Sequence, residues 1–105
     1  MTTQYSITCG LDTNGHDVDA AQLVRDLAAE FFPHGHTIIE ATGRWVGQVG
    51  VIDEPTIIVQ WMATDSQKLS GEAHTLVNKF AAAYKNEAFQ ESVMVTTQDV
   101  YAVFV

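Results

Sequence analysis

The stretch that decides the architecture runs from His36 to Met62, HTIIEATGRWVGQVGVIDEPTIIVQWM. Both ends are rich in β-branched and aromatic residues, whereas the middle, GQVGVIDEP (47–55), is interrupted by the turn formers Gly47, Gly50, Asp53 and Pro55. The pattern predicts a strand over 36–46, a connection, and a second strand over 56–62. In the second strand Ile57, Val59 and Trp61 share one face, and Ile58 and Met62 lie on the other.

Helical periodicity flanks this segment on both sides. Upstream, Val24, Leu27, Ala28 and Phe31 fall at i, i+3, i+4 and i+7, one face of a helix. Asp17 is the expected cap, Asp19 lies in the first turn, and Pro33 ends the helix because the residue before proline is pushed out of the helical region. Downstream, Thr64 or Asp65 caps a helix whose stripe is Leu69, Ala73, Leu76, Val77, Phe80 and Tyr84, with Asn86 as the stop.

Strands close both ends of the pattern. YSITCGL (5–11) alternates, with Tyr5, Ile7, Cys9 and Leu11 facing one way. After the second helix come ESVMVTT (91–97), a turn at Gln98–Asp99, and VYAVFV (100–105). The order is β-α-β-β-α-β. It predicts an α+β, ferredoxin-like fold, an antiparallel sheet with two helices on one face, and the last strand split into a hairpin. Residues 1–105 are expected to form a single ferredoxin-like domain, with no linker or repeat.

A sheet covered on one side should alternate apolar with polar residues. Strands 56–62 and 100–105 do not: Ile58, Met62, Ala102 and Phe104 oppose Val59, Trp61, Tyr101 and Val103. With no spare element to cover the second face, the expected partner is a second copy. The chain should be a homodimer or higher oligomer joined through the open sheet face.

Thirteen acidic residues against five basic ones give a net charge of −8. Such a charge repels phosphate backbones and anionic lipid, so direct nucleic-acid and membrane-surface binding are not expected. Acids are concentrated in the first half, and the stretch Asp12–Glu30 offers an acidic face to a basic protein partner, as a phage-encoded inhibitor of a host defence system would use. The plainer reading is a solvated surface. Met1 is followed by no basic or apolar leader, no run is long enough to span a bilayer, and the lone Cys9 has no disulfide mate. A cytoplasmic protein is the expectation.

Three segments, FFPHGHTIIEATGRWVG (31–47), EPTIIVQWM (54–62) and FQESVMVTT (89–97), resemble a group of small bacterial and phage proteins of unknown function. That group is similar to ferredoxin-like domains of the PII-like kind, which oligomerise through their sheets. The resemblance implies the fold and self-association, and it carries no catalytic residues onto this chain.

Candidate sites follow from residue type and spacing. His34 and His36 have the i, i+2 spacing that places two imidazoles on one side of an extended segment. No third ligand accompanies them, so two exposed histidines at a turn are the preferred reading and no metal is expected. Gly43, Arg44, Trp45 and Gly47 suit a pocket for a small, nucleotide-like ligand: Arg44 for an anion, Trp45 for stacking, the glycines for close backbone approach. Adjacent side chains of a strand alternate, so a bulge at Gly43 or Gly47 is needed to bring Arg44 and Trp45 together. Glu54 and the pair Gln90–Glu91 stand at strand starts, where a carboxylate can accept loop N–H groups, bind a ligand or, with a second carboxylate brought beside it, do acid/base work.

Walker, nucleophile-elbow and zinc-site motifs are lacking, so no cofactor is expected and a binding module is preferred to an enzyme. The enzyme alternative, a small dimeric α/β-barrel-type protein, would draw on His36 or His74.

Overall fold

A computed structural model describes residues 2–48 and 50–105. Its elements are β1 (Thr2–Gly10), α1 (Ala20–Phe31), β2 (Thr37–Gly47), β3 (Gly50–Ala63), α2 (Asp65–Leu69), α3 (Glu72–Glu87) and β4 (Met94–Val100). The strands form one sheet in the order β2-β3-β1-β4, with every neighbouring pair antiparallel. With α1 and α3 on one face, this is the ferredoxin-like α+β arrangement.

The register sorts side chains onto two faces. Tyr5 pairs with Trp61, Ile7 with Val59 and Cys9 with Ile57. All six are buried against the helices. From above, α1 contributes Val24, Leu27 and Ala28, and α3 contributes Ala73, Val77, Phe80 and Tyr84. Phe32, just past α1, stacks on Trp61 at 4.9 Å and lies 5.4 Å from Phe80, while Phe31 meets Phe80 edge-on at 5.9 Å. These rings fill the space that the two-helix layer leaves above the middle of the sheet.

Four sequence expectations are corrected. The cap of α1 is Asp19, whose Oδ1 accepts from Gln22 N at 3.2 Å, and Asp17 lies before the helix. Turn hydrogen bonds from His16 N to Thr13 O and from Val18 N to His16 O hold the chain out of helix until Asp19. The second helix is two: Thr64 and Gln67 form a capping box on α2, and Gly71, at φ +76°, breaks the chain before α3. The break changes the helical phase, so Leu69 is 88% exposed instead of joining the stripe.

The segment 50–55 is not a connection but part of β3, so β2 and β3 run on as a two-stranded ribbon beyond the point where β1 ends. Pro55 is tolerated there because that stretch of β3 has lost β1 as a full neighbour; Pro55 O accepts a last bond from Leu11 N at 3.0 Å. Finally, β4 is not split. Gln98 and Asp99 pair with Gln4 and Thr3 inside the ladder, and Asp99 is held by the Thr3 hydroxyl at 3.1 Å and by Lys68 at 3.0 Å. Lys68 keeps the Asp99 carboxyl below the usual carboxylate range. Residues 101–105 have no regular structure, so the expected strand 100–105 ends at Val100. No helix among the described residues is long and apolar enough to cross a membrane.

Candidate functional site

Where β1 ends at Gly10, the ribbon continues alone, and the loops 11–14 and 90–92 rise beside it. Between them lies a pocket of about 440 Å³. Strand alternation decides which ribbon side chains enter it. Gly43 pairs with Glu54, and Trp45 with Ile52, all on the face away from the helices. All but Gly43 line the pocket, together with Thr8, Gly10 and Met94 from the ends of β1 and β4.

Two glycines make room for the two large polar-tipped side chains. A Cβ on Gly43 would come within 2.9 Å of Trp45 Nε1 and 2.7 Å of Thr56 Oγ1, so the nitrogen edge of the indole takes up the space that a side chain at Gly43 would need. A Cβ on Gly10 would come within 2.5 Å of Glu54 Oε1. Trp45 is left 38% exposed and lines the pocket.

The rim is tied by side-chain to backbone hydrogen bonds. Glu54 Oε2 accepts from Asp12 N at 3.0 Å. Gln90 Nε2 donates to Asp12 O and to Ala88 O, and Asn14 Nδ2 donates to Phe89 O. Asn14 and Phe89 both have positive φ, and Phe89 stacks on His16 at 3.5 Å. Two separate loops thus hold one another in backbone conformations that neither would favour alone. Beneath them the buried Tyr84 hydroxyl donates to Gly10 O, anchoring the end of β1 to α3.

Burial pushes the Cys9 thiol up to about 12 and, with the nearby Cys9 and Glu54, pushes Tyr84 up as well. Both groups therefore keep a proton in the fold at a pH where the unfolded chain has released it. Their contribution is intact below the ordinary thiol value of 9.0 and is lost as pH rises from there toward 12. For Cys9 alone the loss is up to about 1.4 kcal/mol per pH unit. In denaturant melts across this range, Cys9→Ala should move the onset of alkaline destabilisation toward the ordinary tyrosine value of 10.0. An unchanged onset would show that the thiol is not the titrating group. At neutral pH Cys9 is a protonated core residue, not a nucleophile.

The structure brings together Gly43, Trp45, Gly47 and Glu54 of the expected site, but not Arg44. The β2–β3 register runs unbroken from Thr37–Gln60 to Gly47–Gly50, so the bulge that Arg44 needed is absent from the described pairing. Arg44 points to the opposite face of the ribbon and grips Asp53 with two bonds, Nε to Oδ1 at 2.7 Å and a second amine to Oδ2 at 3.1 Å. His34 is exposed, and His36 Nδ1 lies 3.0 Å from Phe32 O, where it satisfies the end of α1. Among the described residues no three His, Cys, Asp or Glu side chains gather as metal ligands. Residues that line the pocket without having been expected there include Thr8, Gly10, Asp12, Asn14 and Met94. Only the Asn14–Gly15 turn carried a local signal for any of them.

A family described as "Protein of unknown function (DUF3574)" matches residues 6–104. The chain belongs to this family. No curated protein matches it. Among solved structures, this DUF3574 member is similar to a phage SAM lyase in complex with S-methyl-5'-thioadenosine. The TM-score is 0.70 at 16% identity, over 99% of this chain and 90% of that one. The apo state of a phage SAM lyase gives a TM-score of 0.63 at 18% identity, over 98% and 89%. CutA from Synechococcus elongatus gives 0.53 at 9% identity, over 92% and 74%. At these identities the likeness is one of fold.

Proposed function

We propose that this protein is a self-associating binding module for a small nucleoside, neutral or positively charged, held on the ribbon face at Trp45 and Glu54. The observation that carries the reading is a partly exposed indole, seated against Gly43, that lines the same pocket as the Glu54 carboxylate. A flat aromatic face accepts a base by stacking, and a carboxylate accepts from ribose hydroxyls or attracts a cation. The pocket volume of about 440 Å³ suits a ligand of that size.

Charge selects the ligand class. Asp12, Glu54 and Glu91 line the pocket, and among the described residues no lysine or arginine does. A phosphate would be repelled, whereas a sulfonium or an uncharged thioether nucleoside would not. The phage SAM lyase of similar fold is described in complex with a ligand of the latter kind, which makes S-methyl-5'-thioadenosine and S-adenosylmethionine the first probes.

Self-association is supported by the distribution of charge. On the sheet face away from the helices, Glu54 is the one charged side chain among the described residues. Arg44, Asp53, Glu40 and Asp99 all lie on the other face. In a chain of net charge −8, a face that carries a single charge and bears Ile39, Ile58 and Met62 is where two copies can approach with least repulsion.

The test is a titration of both probes, and of AMP, followed by thermal shift and by tryptophan emission. Trp61 is buried in the core, so quenching on binding reports Trp45. The thioadenosine should bind and AMP should bind more weakly. Trp45→Ala should weaken the thioadenosine by about 1–3 kcal/mol, roughly five- to 150-fold. Arg44→Ala should change affinity little. If no probe shifts the wild type, the nucleoside reading fails and the acidic surface around Asp12–Glu30 becomes the leading binding surface. Chromatography of the S-adenosylmethionine mixture decides whether the ligand is only held: conversion would make the protein an enzyme.

A further inference from the structure

Beyond Gly10, β1 vacates the lane beside β3. Its ladder with β3 stops at Gly10–Thr56, followed by the single bond from Leu11 N to Pro55 O. Residues 50–54 of β3 then pair with β2 on one side and, among the described residues, have no strand on the other. Ladder groups alternate along a strand, so if Pro55 O points into the lane, the N–H and C=O of Asp53 and Val51 do as well. Ile52 and Glu54 of this same stretch line the pocket, so a strand added along the edge would border it.

The same molecule holds a segment suited to that lane. Residues 101–105, Tyr-Ala-Val-Phe-Val, are uncharged, rich in strand-forming side chains, and without regular structure. Phe104 is 95% exposed, and Tyr101 nearly as much. Exposure of this kind in an apolar run signals a surface that is covered in the assembled state.

A chain cannot use its own segment. Val100 pairs with Thr2, at the opposite end of β1 from Gly10. From Thr2 to Gly10 is about 26 Å at the usual strand rise, whereas residues 101–105 span at most about 17 Å and lead away from the pocket. The occupant must come from another molecule. A second copy supplies the segment without bringing a like charge into the lane.

We infer that residues 101–105 of a second copy add as a strand to the free edge of β3 at Gly50–Glu54 and border the nucleoside pocket. This rests on the reading that copies of the chain associate. An antiparallel addition continues the lane of β1 and satisfies the free groups of Val51 and Asp53. Alternation sends Tyr101 and Val103 to one face and Ala102 and Phe104 to the other. In either register at least one large apolar side chain reaches the Trp45 side.

The experiment compares the full-length wild type with Ala102→Pro and Val103→Pro. In either register one of these removes a ladder donor, while neither touches the core. Val103→Ala keeps the donor. Amide hydrogen exchange at Val51 and Asp53, measured where sedimentation shows association, should be slow in wild type and in Val103→Ala. It should be roughly tenfold faster or more in at least one proline variant, with weaker self-association. Free exchange of both amides in an associated wild type, or wild-type protection retained in both proline variants, overturns strand addition and leaves association through the sheet face intact. A wild type that sediments as a monomer at all concentrations overturns both. S-methyl-5'-thioadenosine titrated into the same samples should bind the affected proline variant more weakly than wild type. Equal affinity would remove the partner segment from the pocket.

Discussion

Phe80→Ala should lower the free energy of unfolding by about 3–5 kcal/mol, the usual cost of emptying a phenylalanine site in a packed core. Phe80 is fully buried on α3 and meets Phe31 edge-on and Phe32 face-tilted, with Trp61 stacked beyond Phe32. Truncation removes the ring that both helices share above the sheet. The neighbours cannot collapse to fill the space, because Phe32 is held between Phe80 and Trp61 and Val59 is fixed in the ladder. A domain of this size has about 5–15 kcal/mol to lose, so the variant should be marginal at body temperature. Urea titration followed by far-ultraviolet circular dichroism measures the effect. A loss under about 1 kcal/mol would mean that the core is not organised around this ring.

Gly10→Ala should do the reverse, leaving the fold nearly intact while weakening S-methyl-5'-thioadenosine binding by about 1.5–3 kcal/mol, ten- to a hundredfold. The new Cβ would sit 2.5 Å from Glu54 Oε1. What must move is the free end of a flexible side chain, so the strain is relieved cheaply by turning the carboxylate away. Doing so breaks its bond from Asp12 N and removes the acceptor from the pocket. Alanine also suits a strand better than glycine, by roughly 0.5–1 kcal/mol, which offsets much of the lost bond. Thermal melting and probe titration on one sample separate the two effects. A variant that binds as wild type would remove Glu54 from the ligand site, and Glu54→Gln, which keeps the side-chain volume, provides the independent check.

The alternation of Tyr5, Ile7 and Cys9, the helical stripe from Val24 to Phe31 and the strand-forming run 56–62 were enough to specify the element order. Each depends on a period set by the backbone itself: two residues for a strand, and 3.6 for a helix. That order, with short connections, leaves little freedom in the topology. Pro33 stopped α1 for a reason equally local, because a proline constrains the residue before it wherever it stands.

Tertiary structure decided everything that required one segment to meet another. Gln98–Asp99 carries turn formers, yet pairing with β1 and the contacts from Lys68 and Thr3 keep it in β4. VIDEP reads as a loop, yet continuous pairing with β2 makes it a strand. The candidate site divides in the same way. That Arg44 and Trp45 alternate was evident from their adjacency, but whether a bulge reunited them depended on the β2–β3 register, which depends on hydrogen bonds between residues far apart in the chain. Asp12, Asn14 and Gln90 joined the pocket only because Tyr84 anchors the end of β1 and the two loops tie one another down. Local periodicity is written residue by residue. A pocket is a set of distances between segments, and those distances are set by packing and register once the chain has folded.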